Sequence, residues 1–385
     1  MADDAAARGR KRAVRGVMSI GAETEMHSSV TVESRLAELG ARYDAAPRFP
    51  VASLAVLREA GVHRRFAPGA AGGEVFSDAE ARNAAMARTL REVGRGDLSV
   101  GRLYEGHVNA LALFDWYASA RQHDWLRDAL DRGAWFGVWA TEAPPGVRIA
   151  PDDPPVLRGA KVFASGAGGL DFALVTAAVP DRDRRLVVVP ANDEGRADLT
   201  GWRVRGMRAS VSGRYDVEGL TPEPDMLLGE PGDYDREPRF TAGAWRFCAV
   251  QLGGIEALLA ETRTAMRDAA RADPVQRARF AEAVVAMRSA GFWVAEAARR
   301  FAGEENDAVA IARLTRGVVE QAGLTAIDAA ARLLGTRSAF DGERADKIIR
   351  DLSLYLRQAG PDHARDEAAM TLLERDPWAV GDRLW

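Results

Sequence analysis

The chain has 385 residues, 47% apolar and 28% charged, with a formal net charge of −4 and a pI near 5.9. That length suits one three-part unit or two to three domains, and the mildly acidic balance gives no electrostatic footprint for nucleic acid. A single cysteine, Cys248, excludes an intrachain disulfide, and no apolar run is long enough to span a bilayer.

The first stretch, MADDAAARGRKRAVRG, is basic but has early acids and no apolar h-region. It reads as a disordered tail over 1–28 rather than a signal peptide. Arginine far exceeds lysine, and with abundant Ala and Gly this suits a bacterial cytoplasmic protein.

From 29 to 130 the period is helical. SRLAELGARY and FPVASLAVLREAGVH repeat apolar residues at three and four, the second after Pro50. A further helix has Ser77-Asp78 as N-cap candidates and closes on Gly94 and Gly96. From 131 to 235 short segments such as WFGVWAT, VLRGAKVFAS, DFALVTAAV and RLVVVPA are β-branched or aromatic and broken by Gly, Pro and Asp. They predict an antiparallel β domain, a small barrel or sandwich. From 236 to 376 long helices return and predict a C-terminal four-helix bundle, followed by a tail over 377–385. In AEAVVAMRSAGFWVAEAARRF, Val284, Met287, Gly291, Val294 and Ala298 share a face. The apolar stripes are wide enough to imply association of subunits. Five histidines, His27, His63, His107, His123 and His363, lack ligand spacing, so no metal site is expected.

Four segments, in order, resemble the acyl-CoA dehydrogenase superfamily of flavoproteins, which includes the two-component flavin monooxygenases. GVWATEAPPGVRI is similar to the turn that leaves a strand and meets the flavin; LRGAKVFASGAGGLDFALVTA is similar to the strand whose aromatic packs on the ring and whose hydroxyl meets its reactive edge. GMRASVSGRYDVEGL and AARLLGTRSAFDGERADKIIRD are similar to the Gly-Met-Arg strand and the Gln-x-x-Gly-Gly segment. The Gly-Ser-Asp that usually ends the first motif is Gly146-Val147-Arg148 here, and the Arg-x-x-Phe-Gly loop is replaced by a shortened RADPVQRARF.

The resemblance implies an α+β fold: an N-terminal helical domain, a central antiparallel β domain and a C-terminal four-helix bundle. It implies a flavin cofactor, FAD or FMN, held by Trp139, Thr141, Phe163 and Ser165. For the outer part of an FAD bound mainly by a neighbouring subunit it implies Arg332 and Gly335, with Arg271 and Gln276 as candidates in the shortened loop. Arg246 and Gln358 would meet the substrate. It also implies a homodimer or homotetramer acting on a small molecule, an acyl-CoA or carrier-bound acyl group among the candidates, without nucleic acid or membrane. The family's catalytic glutamate falls at Ala359 or, in a minority, at Trp245, and neither residue accepts a proton. His107 and His363 are the remaining candidates for a catalytic role, with Glu105 and Glu142 as substitute carboxylates. The expected function is therefore a flavin-dependent oxidoreductase without the usual base. Two alternatives stand beside it: a monooxygenase that uses reduced flavin and O2, and a non-catalytic flavin-binding or assembly subunit.

Overall fold

The computed structural model describes residues 31–358 and 360–374. The expected tails over 1–28 and 377–385, and Ala359, lie outside the described residues.

Local chemistry sets the helix starts. Helix α1 (Val32–Ala45) opens on Thr31, whose hydroxyl accepts from the Ser34 amide. Helix α2 (Val51–Glu59) begins directly after Pro50. Helix α3 (Ala79–Gly96) is capped by the Asp78 carboxylate, 2.7 Å from the Ala81 amide. Asp97 ends α3 and caps α4 (Leu98–Tyr117). Ser119 and Gln122 form a capping box on α5 (Ala120–Asp131).

Nine strands follow: β1 (Phe136–Trp139), β2 (Arg148–Ala150), β3 (Val156–Arg158), β4 (Ala160–Ala164), β5 (Phe172–Val179), β6 (Arg182–Pro190), β7 (Ala197–Asp198), β8 (Gly213–Asp216) and β9 (Leu227–Leu228). The larger sheet runs β3-β2-β5-β6-β9, with β1 also on β5; the smaller runs β4-β8-β7. Most pairs are antiparallel, but β1 and β2 both lie parallel to β5. Phe136 to Trp139 pair with Phe172 to Val175, and Arg148 pairs with Ala178 on the same edge. Between them the chain leaves the edge over 140–147 and reaches the smaller sheet. There the Val162 amide donates to the Thr141 carbonyl at 3.0 Å, and Glu142 bridges Lys161.

Helices α6 (Trp245–Ala265), α7 (Asp268–Ala272), α8 (Pro274–Ala302), α9 (Ala308–Leu334), α10 (Arg344–Tyr355) and α11 (Pro361–Glu374) complete the chain. The long α6, α8 and α9 pack on one another, α10 lies on α6 and α11 on α9, while α3 runs along α6 and α8. One apolar core runs through all three zones, from Leu36 and Leu90 through Val175 and Tyr215 to Leu252 and Leu352. No helix among the described residues is long and apolar enough to cross a membrane.

Candidate active site

A cavity of about 540 Å³ opens where α4, the end of β1, the 229–244 loop, α6, α9 and α11 meet. Strand alternation explains the contribution of β1: Val138 and Ala140 face the cavity, as does Thr141 just beyond. Trp139 points the other way. It is buried between the sheets against Tyr215, with ring centroids 4.9 Å apart, and its indole N–H donates to the Ser165 carbonyl at 3.0 Å. Trp139, expected to touch a cofactor, is thus a buttress behind that surface.

Strand β4, joined to the cavity-lining Thr141 through the Val162 amide, carries a register shift between Lys161 and Ala164. At this bulge Phe163 adopts φ 53° and is 67% exposed. Ser165 follows, nearly buried. Its hydroxyl lies 2.9 Å from that of Ser212, which lies 2.9 Å from that of Ser210. Ser210 gives its one proton to the Met207 carbonyl at 2.8 Å. Each hydroxyl has a single proton to give, so Ser212 donates to Ser210 and Ser165 donates to Ser212. Ser165 is left with acceptor capacity alone. Glu142 is consumed locally, accepting from the fully buried Lys161 Nζ at 2.7 Å and from the Val147 amide at 2.9 Å. Both contacts fall on Oε2 and anchor the 140–147 turn, and Glu142 is not among the residues that line the cavity.

The two histidine candidates separate. His107 is in the core: its Nε2 lies 2.8 Å from the His63 carbonyl and its Nδ1 accepts from the Phe136 amide at 3.2 Å. Both ring nitrogens are satisfied in the neutral tautomer, and burial, reinforced by His63, holds its pKa well below the usual value. The polar α4 residues that reach the cavity are Arg102, Glu105 and Asn109, with Leu113, Trp116 and Tyr117 beyond them. At about 100° per residue, Glu105 and Asn109 share a face and His107 lies nearly opposite. This polar stripe on an otherwise apolar helix is the signal in the sequence for the site; Glu105 stands among the sequence candidates, while Arg102 and Asn109 do not. His363, in the first turn of α11, does line the cavity.

Arg246 and Gln358 are both on the cavity wall. Arg246 is buried; its Nη1 donates to Asn109 Oδ1 at 3.2 Å, and its guanidinium lies over the rings of Phe301, Trp245 and Trp116 at 4.8, 5.4 and 5.6 Å. Burial brings its pKa down to about 10, against the pull of Glu105. Glu105, itself buried, accepts from Arg102 and Asn109. Arg316 donates to the Gln358 carbonyl at 2.6 Å and lies 5.3 Å from the Phe247 ring. The neighbouring Trp245 is fully buried, and its indole N–H has no hydrogen-bond partner.

Arg271, Gln276, Arg332 and Gly335, expected at the outer end of an FAD held mainly by a neighbouring subunit, do not line this cavity. Arg271 is spent on the Met266 and Arg263 carbonyls, Gln276 accepts from Arg279, and Arg332 pairs with Asp328 at 2.8 Å. Gly335 holds φ +62° at the end of α9, where an added Cβ would meet nothing within 4 Å. Among the described residues no cluster of His, Cys, Asp and Glu could hold a metal. Cys248 is buried and its thiol is pushed up to about 12, so it is inert.

No family model matches the chain. It is 29% identical over 159 residues to a dibenzothiophene monooxygenase of Mycolicibacterium goodii, a match that spans 37% of each chain. FMN-bound TdsC, a dibenzothiophene monooxygenase of Paenibacillus sp. A11-2, superposes with a TM-score of 0.78 at 20% identity, over 89% of this chain and 95% of that one. A glutaryl-coenzyme A dehydrogenase in complex with glutaryl-CoA superposes with a TM-score of 0.77 at 18% identity, over 89% and 93%. The strand–turn–strand shelf, the helical clasp on both sides and these superpositions agree: the chain has the acyl-CoA dehydrogenase-like fold that dehydrogenases and flavin monooxygenases share.

Proposed function

We propose that this protein is a flavin-dependent monooxygenase on the acyl-CoA dehydrogenase-like scaffold. The observation that carries this is the state of the acids on the cavity wall. Glu105 and Glu367 are the carboxylates among its lining residues. Glu105 is held by Arg102 and Asn109, and Glu367 pairs with Arg313 at 3.1 Å. Desaturation of a thioester needs a carboxylate free to take an α-proton, and losing such a base costs on the order of 10²–10⁴ in rate. Oxygen insertion makes no such demand. The partial match to dibenzothiophene monooxygenases supports the same choice.

The shelf suits a flavin ring. Phe163 offers an aromatic face beside Ser165 that is largely exposed among the described residues. Ser165 could only accept a hydrogen bond, so it matches a ring edge that bears N–H, as the reduced ring does. When bound and reduced, the flavin supplies the two electrons with which one oxygen atom goes to the substrate and the other to water. The chain's own residues hold the ring, and the arginine-lined cavity orients what lies against it. FMN fits better than FAD, because Arg271 and Arg332, the side chains that would meet the adenylate end, are already committed. We also propose a homodimer or homotetramer, because α8 leaves Val285 and Phe292 65% and 68% exposed.

The test supplies chemically reduced FMN and ¹⁸O₂ to the protein with dibenzothiophene, indole, methanesulfinate or benzothiophene-2-carboxylate. One labelled oxygen in a product, seen by mass spectrometry, is the expected result. Anaerobic bleaching of bound flavin by an acyl-CoA with an enoyl product, and no label in any compound, would assign dehydrogenation instead.

A further inference from the structure

Five arginines line the cavity: Arg102, Arg239, Arg246, Arg313 and Arg316. Three have carboxylate partners. Arg102 pairs with Glu105, Arg239 with Glu304 at 3.1 Å and Arg313 with Glu367 at 3.1 Å. Arg246 and Arg316 have no carboxylate within 4 Å among the described residues. Arg246 is the sharper case. It is 5% exposed, its Nε has no hydrogen-bond partner, and its Nη1 meets a neutral amide oxygen. The guanidinium lies close against the Gly243 backbone: a Cβ there would stand 2.7 Å from Nη1. The acid that pulls on it, Glu105, is already bonded by Arg102 and Asn109, and a buried charge with so little direct compensation is costly unless something else supplies a partner.

The wall also carries the aromatic side chains of Trp116, Tyr117, Tyr234, Phe240 and Phe247. Phe240 is 45% exposed toward open space. Planar guanidinium groups match planar oxyanions through paired N–H donors.

We infer that the cavity selects an aromatic compound bearing an oxyanion group of carboxylate type, met by Arg246, with Arg316 as the second cation on the wall. This deepens the proposed function in naming the substrate class of the same site, yet its test is a binding measurement that needs no turnover.

Benzothiophene-2-carboxylate and its isosteric amide are titrated against the full-length protein, with tryptophan fluorescence or calorimetry as the readout. The acid should bind at least about tenfold more tightly than the amide. Equal binding, tighter binding of the amide, or no binding of either overturns the inference. Arg246→Met should erase the preference while melting no lower than the wild type, because it removes an uncompensated buried charge. FMN affinity of Arg246→Met, measured by flavin fluorescence, should stay within about twofold of wild type. If FMN affinity falls as far as that of the acid, the guanidinium belongs to the cofactor phosphate and the inference fails. Acid preference without ¹⁸O incorporation would leave the anion site standing and remove the monooxygenase. Incorporation without acid preference would do the reverse.

Discussion

Phe163 combines two features that a folded chain rarely keeps together: a left-handed backbone for a bulky residue and an aromatic ring two-thirds in solvent. Each is unfavourable alone, and the backbone costs about 1–2 kcal/mol. Both make sense if the ring is there to meet a planar ligand. Phe163→Gly is therefore expected to raise the ligand-free melting temperature, by about 1 kcal/mol of stability, and to weaken FMN binding about tenfold or more. Calorimetry and a flavin titration check the two halves, and a drop in both would mark the ring as structural. His107 behaves oppositely. Its replacement by Ala should cost about 3 kcal/mol in urea unfolding, because it opens a core cavity and strands the Phe136 amide. At this scale Thr141, Phe163 and Ser165 were legible because a turn past a strand and a Ser-Gly run are local patterns. Glu105 and Asn109 were not singled out as a pair, since only their common helix face, not their spelling, links them to Arg246.

Helix α8 shows how far an element can be read. Its sequence is apolar on more than one side. Ala283, Ala290, Val294 and Ala297 are buried against the core, Val284, Met287 and Gly291 are half-buried, and Val285 and Phe292 stand out on a further face seven residues apart. Leu324 on α9 adds to the exposed apolar surface at 46%. Phe292→Glu combined with Val285→Glu is expected to shift the protein toward monomer in light scattering, with the fold retained by circular dichroism. The end of the same helix is electrostatic. Arg299 and Arg300 hold the Glu296 carboxyl down to about 2 from 4.5. A depressed acid contributes stability above its unfolded value and loses it as pH falls through the folded one. Melting temperature should thus decline between about pH 4.5 and pH 2, and Glu296→Gln should flatten that part of the curve. A loss confined to pH above 6 would contradict the assignment.

Across the whole molecule, α10 ties the three zones together through buried charge. Lys347 Nζ lies 2.7 Å from both Asp97 and Asp351, and Asp351 Oδ1 accepts the Met207 amide at 2.5 Å. Arg350 reaches Asp44 at 2.7 Å, Asp346 at 2.7 Å and the Arg205 carbonyl at 2.6 Å. Gly206 is required at this junction, because a Cβ there would lie 2.1 Å from the Arg350 carbonyl oxygen. Breaking a buried pair leaves an uncompensated charge, so Asp351→Ala should cost about 3–5 kcal/mol in denaturant unfolding. A change below about 1 kcal/mol would show that Lys347 finds another partner. The sequence alone determined the succession of helices, strands and helices and the cap at Asp78, because these depend on period and on residue identity at short range. Tertiary structure alone decided that β1 and β2 return to one edge of β5, that Trp139 supports from behind, and that His107 is core. It alone brought Arg246 and Arg316 to one wall and left them without acids, since pairing between residues far apart in the chain is set by packing and not by order.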